Sequence, residues 1–159
     1  MGLEENGLQV SVRAILYSKG DKGTRFVVVE NRPYPRHQKK RGFFRLPGGT
    51  MEEGETEAEC LRRELWEELR LPDIESISSR PINSYHYVSP KIRQRKLAKV
   101  YVVGMGEHLL GTLKHDAREL LGYELMGPRK AINTLHYPNE KAALEKFCGL
   151  RKLFKYGKA

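Results

Sequence analysis

The sequence has few cysteines and no long apolar run. Cys60 and Cys148 are the two thiols in 159 residues. Both fall in segments with helical patterning, so we expect no disulfide framework and a reducing compartment, the cytoplasm. No hydrophobic stretch approaches the roughly 20 residues that a transmembrane helix needs, and the acidic start MGLEEN lacks a signal-peptide pattern. The sequence therefore predicts no association with membranes.

Internal repeats, low-complexity segments and linkers are also absent. A chain of 159 residues, 39% of them hydrophobic, can bury one core but is too short for two ordinary domains. We therefore expect a single domain over residues 1–159, with its core at about 8–154. Monomer and homodimer are both compatible with the sequence.

Charge is distributed unevenly along the chain. The net charge is +9, yet residues 52–68 hold eight acidic and two basic residues, which leaves 27 basic and 12 acidic residues elsewhere. A basic body around an acidic segment suits a polyanionic substrate, whereas scattered lysines that only aid solubility are the plain alternative.

The acidic segment has the pattern of a capped helix. Thr56 and Glu59 form a capping box, so a helix should run from about residue 56 to 69. Glu64, Glu67 and Glu68 stand at i, i+3 and i+4 and share one face, where they repel one another unless a cation lies between them. Such oxygen ligands indicate Mg²⁺ or Mn²⁺, and a solvated glutamate face is the alternative.

The spacing of this segment resembles the signature of the Nudix hydrolases. Six of its seven fixed identities match, and they are Gly49, Glu55, Arg63, Glu64, Glu67 and Glu68. The resemblance implies a Nudix-like α/β/α sandwich with a mixed β-sheet. It also implies Mg²⁺- or Mn²⁺-dependent hydrolysis of phosphoanhydride bonds in nucleoside diphosphate-linked substrates.

The seventh identity departs from the signature, because Arg70 stands where the family has glycine. That glycine is expected to end the helix in a left-handed conformation, which costs a residue with a Cβ about 1–2 kcal/mol. We predict a left-handed or distorted backbone at Arg70 and retained activity, since the carboxylates lie one or more turns earlier.

The resemblance also implies roles for individual residues. The metal ligands would be the Gly49 carbonyl with Glu64, Glu67 and Glu68, while Glu55 and Arg63 would form a structural pair. The catalytic base would be a signature glutamate or one from a later loop. The candidates in order are Glu68 and Glu67, then Glu124, with Glu107 and Glu119 left open.

Basic loops flank the expected site. Residues 31–42 and 91–99 are rich in arginine and lysine, and Tyr87 lies sixteen residues beyond Leu71, a spacing that resembles dinucleoside polyphosphate hydrolases. We predict a small-molecule nucleotide substrate, with nucleoside or dinucleoside polyphosphates (NTP, Ap4A) weakly favoured. The alternatives are the 5′ end of RNA, ADP-sugars, or an inactive module that only binds nucleotides or RNA. The predicted substrate contacts are Arg32, Arg36, Lys40, Arg45, Tyr87, Arg93 and Arg95.

Hydrophobic periodicity predicts the remaining elements. Strands are expected at about 8–17, 25–30, 43–46, 82–88, 98–105 and 123–126, and helices at 129–135 and 140–154.

Overall fold

The computed structural model describes residues 4–5, 7–33, 42–89 and 92–156. Its strands are β1 (Glu4–Glu5), β2 (Leu8–Gly20), β3 (Gly23–Asn31), β4 (Phe43–Arg45), β5 (Gly48–Thr50), β6 (Ser76–Ile77), β7 (Asn83–Val88), β8 (Arg95–Gly104) and β9 (Leu120–Met126). Its α-helices are α1 (Glu57–Leu69), α2 (Pro128–Thr134) and α3 (Pro138–Tyr156), and a 3-10 helix spans Glu107–Thr112. None of the helices in these ranges has the length and apolar character to span a membrane.

The described strands form one mixed sheet around β2. This strand pairs in parallel with β8, from Gln9 opposite Lys96 to Tyr17 opposite Gly104. It pairs antiparallel with β3 through a tight turn before Gly23, as the sequence predicts, and with β1 and β5. Strands β4 and β9 extend the sheet from β3, while β6 and β7 extend it from β8.

The two faces of the sheet bury two separate cores. On one face, Val12 and Leu16 of β2 pack with Leu61 and Leu65 of α1. On the other, Ile15 and residues of β3 pack with α2 and α3. Because successive side chains of a strand point to opposite faces, β2 supplies both cores. The predicted three-layer α/β/α sandwich is confirmed.

Helix α1 begins and ends as the sequence predicts. The hydroxyl of Thr56 accepts from the Glu59 amide, and the Glu59 carboxylate accepts from the Thr56 amide, so the capping box is complete. Arg70 follows the last turn with φ 54° and ψ 34°, the left-handed conformation expected there. Its guanidinium lies 5.3 Å from the centre of the Trp66 ring, a contact that partly offsets the backbone cost.

Some boundaries differ from prediction. Strand β9 begins at Leu120, three residues earlier than expected, because it pairs with β3 as far as Asn31. Helices α2 and α3 lie within two residues of their predicted limits. Most of the basic loop, residues 34–41, lies outside the described residues.

Replacing Arg70 with glycine tests the cost of the left-handed helix end. Arg70→Gly should raise the free energy of unfolding by about 0.5–1 kcal/mol, because glycine adopts this conformation without a Cβ penalty. Arg62→Gly, at an exposed interior position of the same helix, should lower it by about 1 kcal/mol. Urea denaturation measures both, and a destabilised Arg70→Gly would contradict the assignment.

Candidate active site

Gly48 and Gly49, at the start of β5, lie directly against α1. We call residues 46–49 the glycine segment. Gly48 has φ 148°, and a Cβ there would run into the carbonyl of Val12 on β2. Its amide donates to Glu68 Oε1 over 2.8 Å. At Gly49 a Cβ would run into the carboxylate of Glu64. Position 48 therefore requires glycine, and a Cβ at Gly49 would displace the Glu64 carboxylate from the backbone.

The three clustered carboxylates lie in different environments. Glu68 is 4% exposed, and burial raises its pKa to about 8, against the opposing effects of Arg13 and the Gly48 amide. Burial also raises the pKa of Glu64 above its ordinary value. Glu67 is about half exposed. The site thus combines one buried carboxyl group that holds a proton near neutral pH with one whose side chain is half exposed to solvent.

Arg63 connects the signature loop to the helix. Its Nε and Nη2 donate to the two carboxylate oxygens of Glu55 over 2.7 and 3.0 Å. Its Nη1 donates to Glu64 over 2.9 Å and to Glu67 over 3.2 Å, and its Nη2 reaches the Thr50 carbonyl over 3.1 Å. The hydrogen bonds with Glu55 raise the pKa of Arg63 and lower that of Glu55. The Glu55–Arg63 contact that the sequence predicts is present.

The donor atoms suit a hard divalent cation. Across the described ranges, no three Asp, Glu, His or Cys side chains already form a metal-binding group, since Arg63 lies between Glu64 and Glu67. The available donors are nevertheless all oxygens, from Glu64, Glu67, Glu68 and the backbone at Gly49, which suits Mg²⁺ or Mn²⁺. Glu67 is exposed enough to leave Arg63 without unpacking the helix.

These carboxylates form one end of a cavity of about 850 Å³. Its other walls come from β2, β7 and β8, from the segments around residues 31–33 and 118–120, and from the start of α3. Tyr85 and Tyr87, on the same face of β7, both line it, and their ring centres are 6.1 Å apart. Tyr87 also shares a 3.0 Å hydrogen bond with Ser11 Oγ.

The predicted substrate contacts have different outcomes. Arg32, Arg45 and Tyr87 line the cavity, whereas Arg93 and Arg95 of the β7–β8 hairpin do not. That hairpin instead contributes Tyr87, Val88, Ser89 and Lys96 to the cavity wall. Arg36 and Lys40 fall outside the described residues.

Of the three glutamates proposed from later segments, only one lines the cavity. Glu124 does not line the cavity. Its half-exposed side chain lies 3.5 Å from Lys130 of α2, apart from the carboxylates that line the cavity. Glu107 packs at Gly20 beside the β2–β3 turn. Glu119, by contrast, lines the cavity with Glu67 and Glu68, because the Asp116 amide donates to the Glu68 carbonyl over 2.9 Å.

Outside the signature segment 49–71, four charged residues of the cavity wall were not among the predicted site residues. They are Arg13, Lys96, Arg118 and Glu140. Arg13 is the only charged residue of the strand predicted at about 8–17, and this was a usable signal. Lys96 belongs to the basic stretch 91–99, whereas Arg118 and Glu140 reach the site through long-range contacts and their local sequence gives no comparable sign.

A family model described as the NUDIX domain matches residues 7–147. The chain belongs to the Nudix family. No curated protein sequence matches it significantly.

Solved structures of Nudix proteins share its fold. A C. elegans Ap4A hydrolase binary complex is 17% identical with a TM-score of 0.71, covering 91% of this chain and 98% of its own. The MutT protein of Methanosarcina mazei is 22% identical with a TM-score of 0.69, covering 91% and 96%. The NUDIX domain of Shewanella oneidensis NrtR, complexed with ADP ribose, is 15% identical with a TM-score of 0.70, covering 89% and 87%. At these identities the likeness establishes the Nudix fold.

The buried Glu68 carboxyl should make the stability of the metal-free protein depend on pH. Because its pKa rises from 4.5 to about 8 on folding, the native state binds this proton more tightly than the unfolded state. Its contribution to stability is therefore complete below about pH 4.5 and is lost as pH rises towards 8. The loss should be on the order of 3 kcal/mol.

Urea denaturation in EDTA at pH 5.5 and 8 measures this effect. Glu68→Gln should remove most of the difference between the two pH values, whereas Glu67→Gln, at a half-exposed position, should keep it. An equal pH dependence in wild type and Glu68→Gln would show that Glu68 is ionised in the native state at both values.

Proposed function

We propose that the protein is a Mg²⁺- or Mn²⁺-dependent hydrolase of phosphoanhydride bonds in nucleoside or dinucleoside polyphosphates, such as NTP or Ap4A. The observation that carries this proposal is the arrangement of Glu64, Glu67 and Glu68 at one end of a cavity whose walls bear cations and tyrosines. Such a cavity offers donors for a metal, charges for phosphates and rings for a base.

We assign a role to each residue of the signature. Glu64, Glu67, Glu68 and the Gly49 carbonyl would hold the cation, and Arg63 with Glu55 would keep the loop against the helix. When bound, the cation would neutralise phosphate oxygens and acidify water. Glu68 is our first candidate for the proton acceptor, because its raised pKa matches proton transfer near neutral pH. Glu119 is the later-loop alternative, since it lines the same cavity.

The walls of the cavity support a nucleotide substrate. Tyr85 and Tyr87 present a pair of rings, and stacking of a base on an aromatic side chain contributes about 1–3 kcal/mol. Arg32, Lys96 and Arg118 add positive charge. Arg32 donates to the Ala117 carbonyl over 2.7 Å, which holds the segment bearing Arg118 at the cavity. A chain of several phosphates uses such dispersed cations better than a single diphosphate does.

A substrate panel tests the proposal. With Mg²⁺, the protein should release product from Ap4A or NTP faster than from ADP-ribose or 5′-triphosphate RNA. Glu68→Gln should lower kcat at least about 100-fold through loss of the proton acceptor. Glu124→Gln is the matched control and should stay within about twofold of wild type, because Glu124 lies outside the cavity.

Three outcomes would change the conclusion. Fastest hydrolysis of ADP-sugars would overturn the preference for polyphosphates, and fastest release from RNA would favour action on RNA 5′ ends. An absence of turnover, with nucleotide binding intact, would identify a binding module.

Arg118 provides a separate test of phosphate recognition. Its side chain is 84% exposed and donates to Asp116, so its removal should not disturb the core. Arg118→Gln should raise KM about fivefold with kcat little changed, because an interaction with substrate alone is lost. Arg129→Gln, exposed on α2, is the control. Steady-state kinetics with equal KM values in both variants would exclude Arg118 from binding.

A further inference from the structure

Glu140 is a fully buried carboxylate that lines the cavity. The proposed reaction assigns it no role. Glu140 lies in the first turn of α3 and is 0% exposed. Its Oε1 accepts from the Leu46 amide over 2.7 Å, and its Oε2 accepts from Arg45 Nη2 over 3.0 Å. Burial of a carboxylate is costly unless hydrogen bonds and an opposite charge compensate it. Here both partners come from residues 45 and 46, where the glycine segment begins.

Neighbouring contacts fasten the same short strand. The His136 amide donates to the Phe44 carbonyl over 2.9 Å, and the guanidinium of Arg45 lies 4.8 Å from the centre of the Tyr137 ring. Burial lowers the pKa of Arg45, but the combined effect of Glu140, Tyr137 and Tyr87 is larger, so the pKa lies above its ordinary value. Arg45 is thus engaged by Glu140 and also lines the cavity.

Arg13 holds the glycine segment from the opposite side. Its Nη1 donates to the carbonyls of Leu46 and Gly48 over 3.3 and 3.0 Å. The adjacent Ala14 amide donates to the Pro47 carbonyl over 2.8 Å. Arg13 is 9% exposed, and a buried charge with fixed partners has little freedom to move.

Together these contacts account for each backbone hydrogen-bonding group of residues 46–48. Glu140 takes the Leu46 amide, Arg13 and Ala14 supply donors to the three carbonyls, and Glu68 takes the Gly48 amide. Because moving the segment would break these hydrogen bonds, it is held in a single position between the sheet and α1.

We propose that Glu140 and Arg13 are positioning residues, which fix residues 46–48 so that the Gly48 amide meets Glu68 and Gly49 meets Glu64. They act on the reaction through this backbone. The consequence for catalysis rests on the proposed function, whereas the consequence for the backbone does not. The start of α3 is thereby coupled to the carboxylates of α1 across the sheet.

Amide exchange in the metal-free protein tests the coupling directly. Glu140→Gln keeps an acceptor for the Leu46 amide but removes the charge that pairs with Arg45. Arg13→Met removes both bonds to the segment, and Arg13→Lys retains the charge with one donor group. Glu145→Gln, exposed on the same helix, is the matched control.

Exchange at the Gly48 amide, followed by NMR, should accelerate about tenfold or more in Glu140→Gln and Arg13→Met. Arg13→Lys should restore part of the protection, and Glu145→Gln should match wild type. The amide of Val27, buried in β3, should stay protected in every variant. Unchanged exchange at Gly48, or equal acceleration at Gly48 and Val27, would overturn the proposal.

Kinetics of the same variants separates positioning from direct contact with substrate. Glu140→Gln should lower kcat about tenfold and leave KM within about twofold, because the reacting groups are misplaced while binding surfaces remain. A raised KM with unchanged kcat would instead make Glu140 a substrate contact and overturn the proposal. A wild type without turnover would refute the proposed function alone, since the exchange experiment needs no reaction.

Discussion

The site depends on the hydrogen bond between the Gly48 amide and the buried carboxyl of Glu68. At Gly48 a Cβ would run into the β2 backbone, so glycine lets the chain lie this close to β2 while its amide reaches α1. The helix supplies the carboxylates and the sheet supplies the cavity, and this contact joins them. Arg63 holds the chain after the glycines through Thr50 and Glu55, and Glu140 holds the chain before them through Arg45 and Leu46. Residues outside the signature thus contact the segment that leads into it.

Electrostatic balance explains how so many carboxylates coexist. Arg63 contacts Glu55, Glu64 and Glu67 at once, so a positive charge on α1 reduces the repulsion between these carboxylates. Burial leaves Glu68 protonated near neutral pH rather than adding another charge. The folded protein consequently tolerates its acidic cluster without a cation, and the proposed cation would compete with a guanidinium and a proton for these oxygens.

Local features could be predicted from the sequence. The capping box, the left-handed end of α1 and the Glu55–Arg63 contact all depend on residues within one segment. The positions of Arg13 and Glu140 depend on β2, β4 and α3 meeting in space, and no spacing in the sequence encodes that. The position of Glu124 beside α2 depends on packing in the same way. A charge among apolar neighbours suggests function, but in a partly exposed strand it also marks the side that faces solvent and α2.

The central strand β2 has a further consequence for how the site forms. Val12 faces the core beneath α1, and its neighbour Arg13 faces the cavity. A slip of one residue against β8 would exchange these faces and force a guanidinium into the apolar core. Arg13, which contacts residues 46 and 48, therefore also favours the correct register of β2. A chain paired in the shifted register would be less stable, so the pairing of β2 with β8 that forms the sheet also brings Arg13 to the cavity.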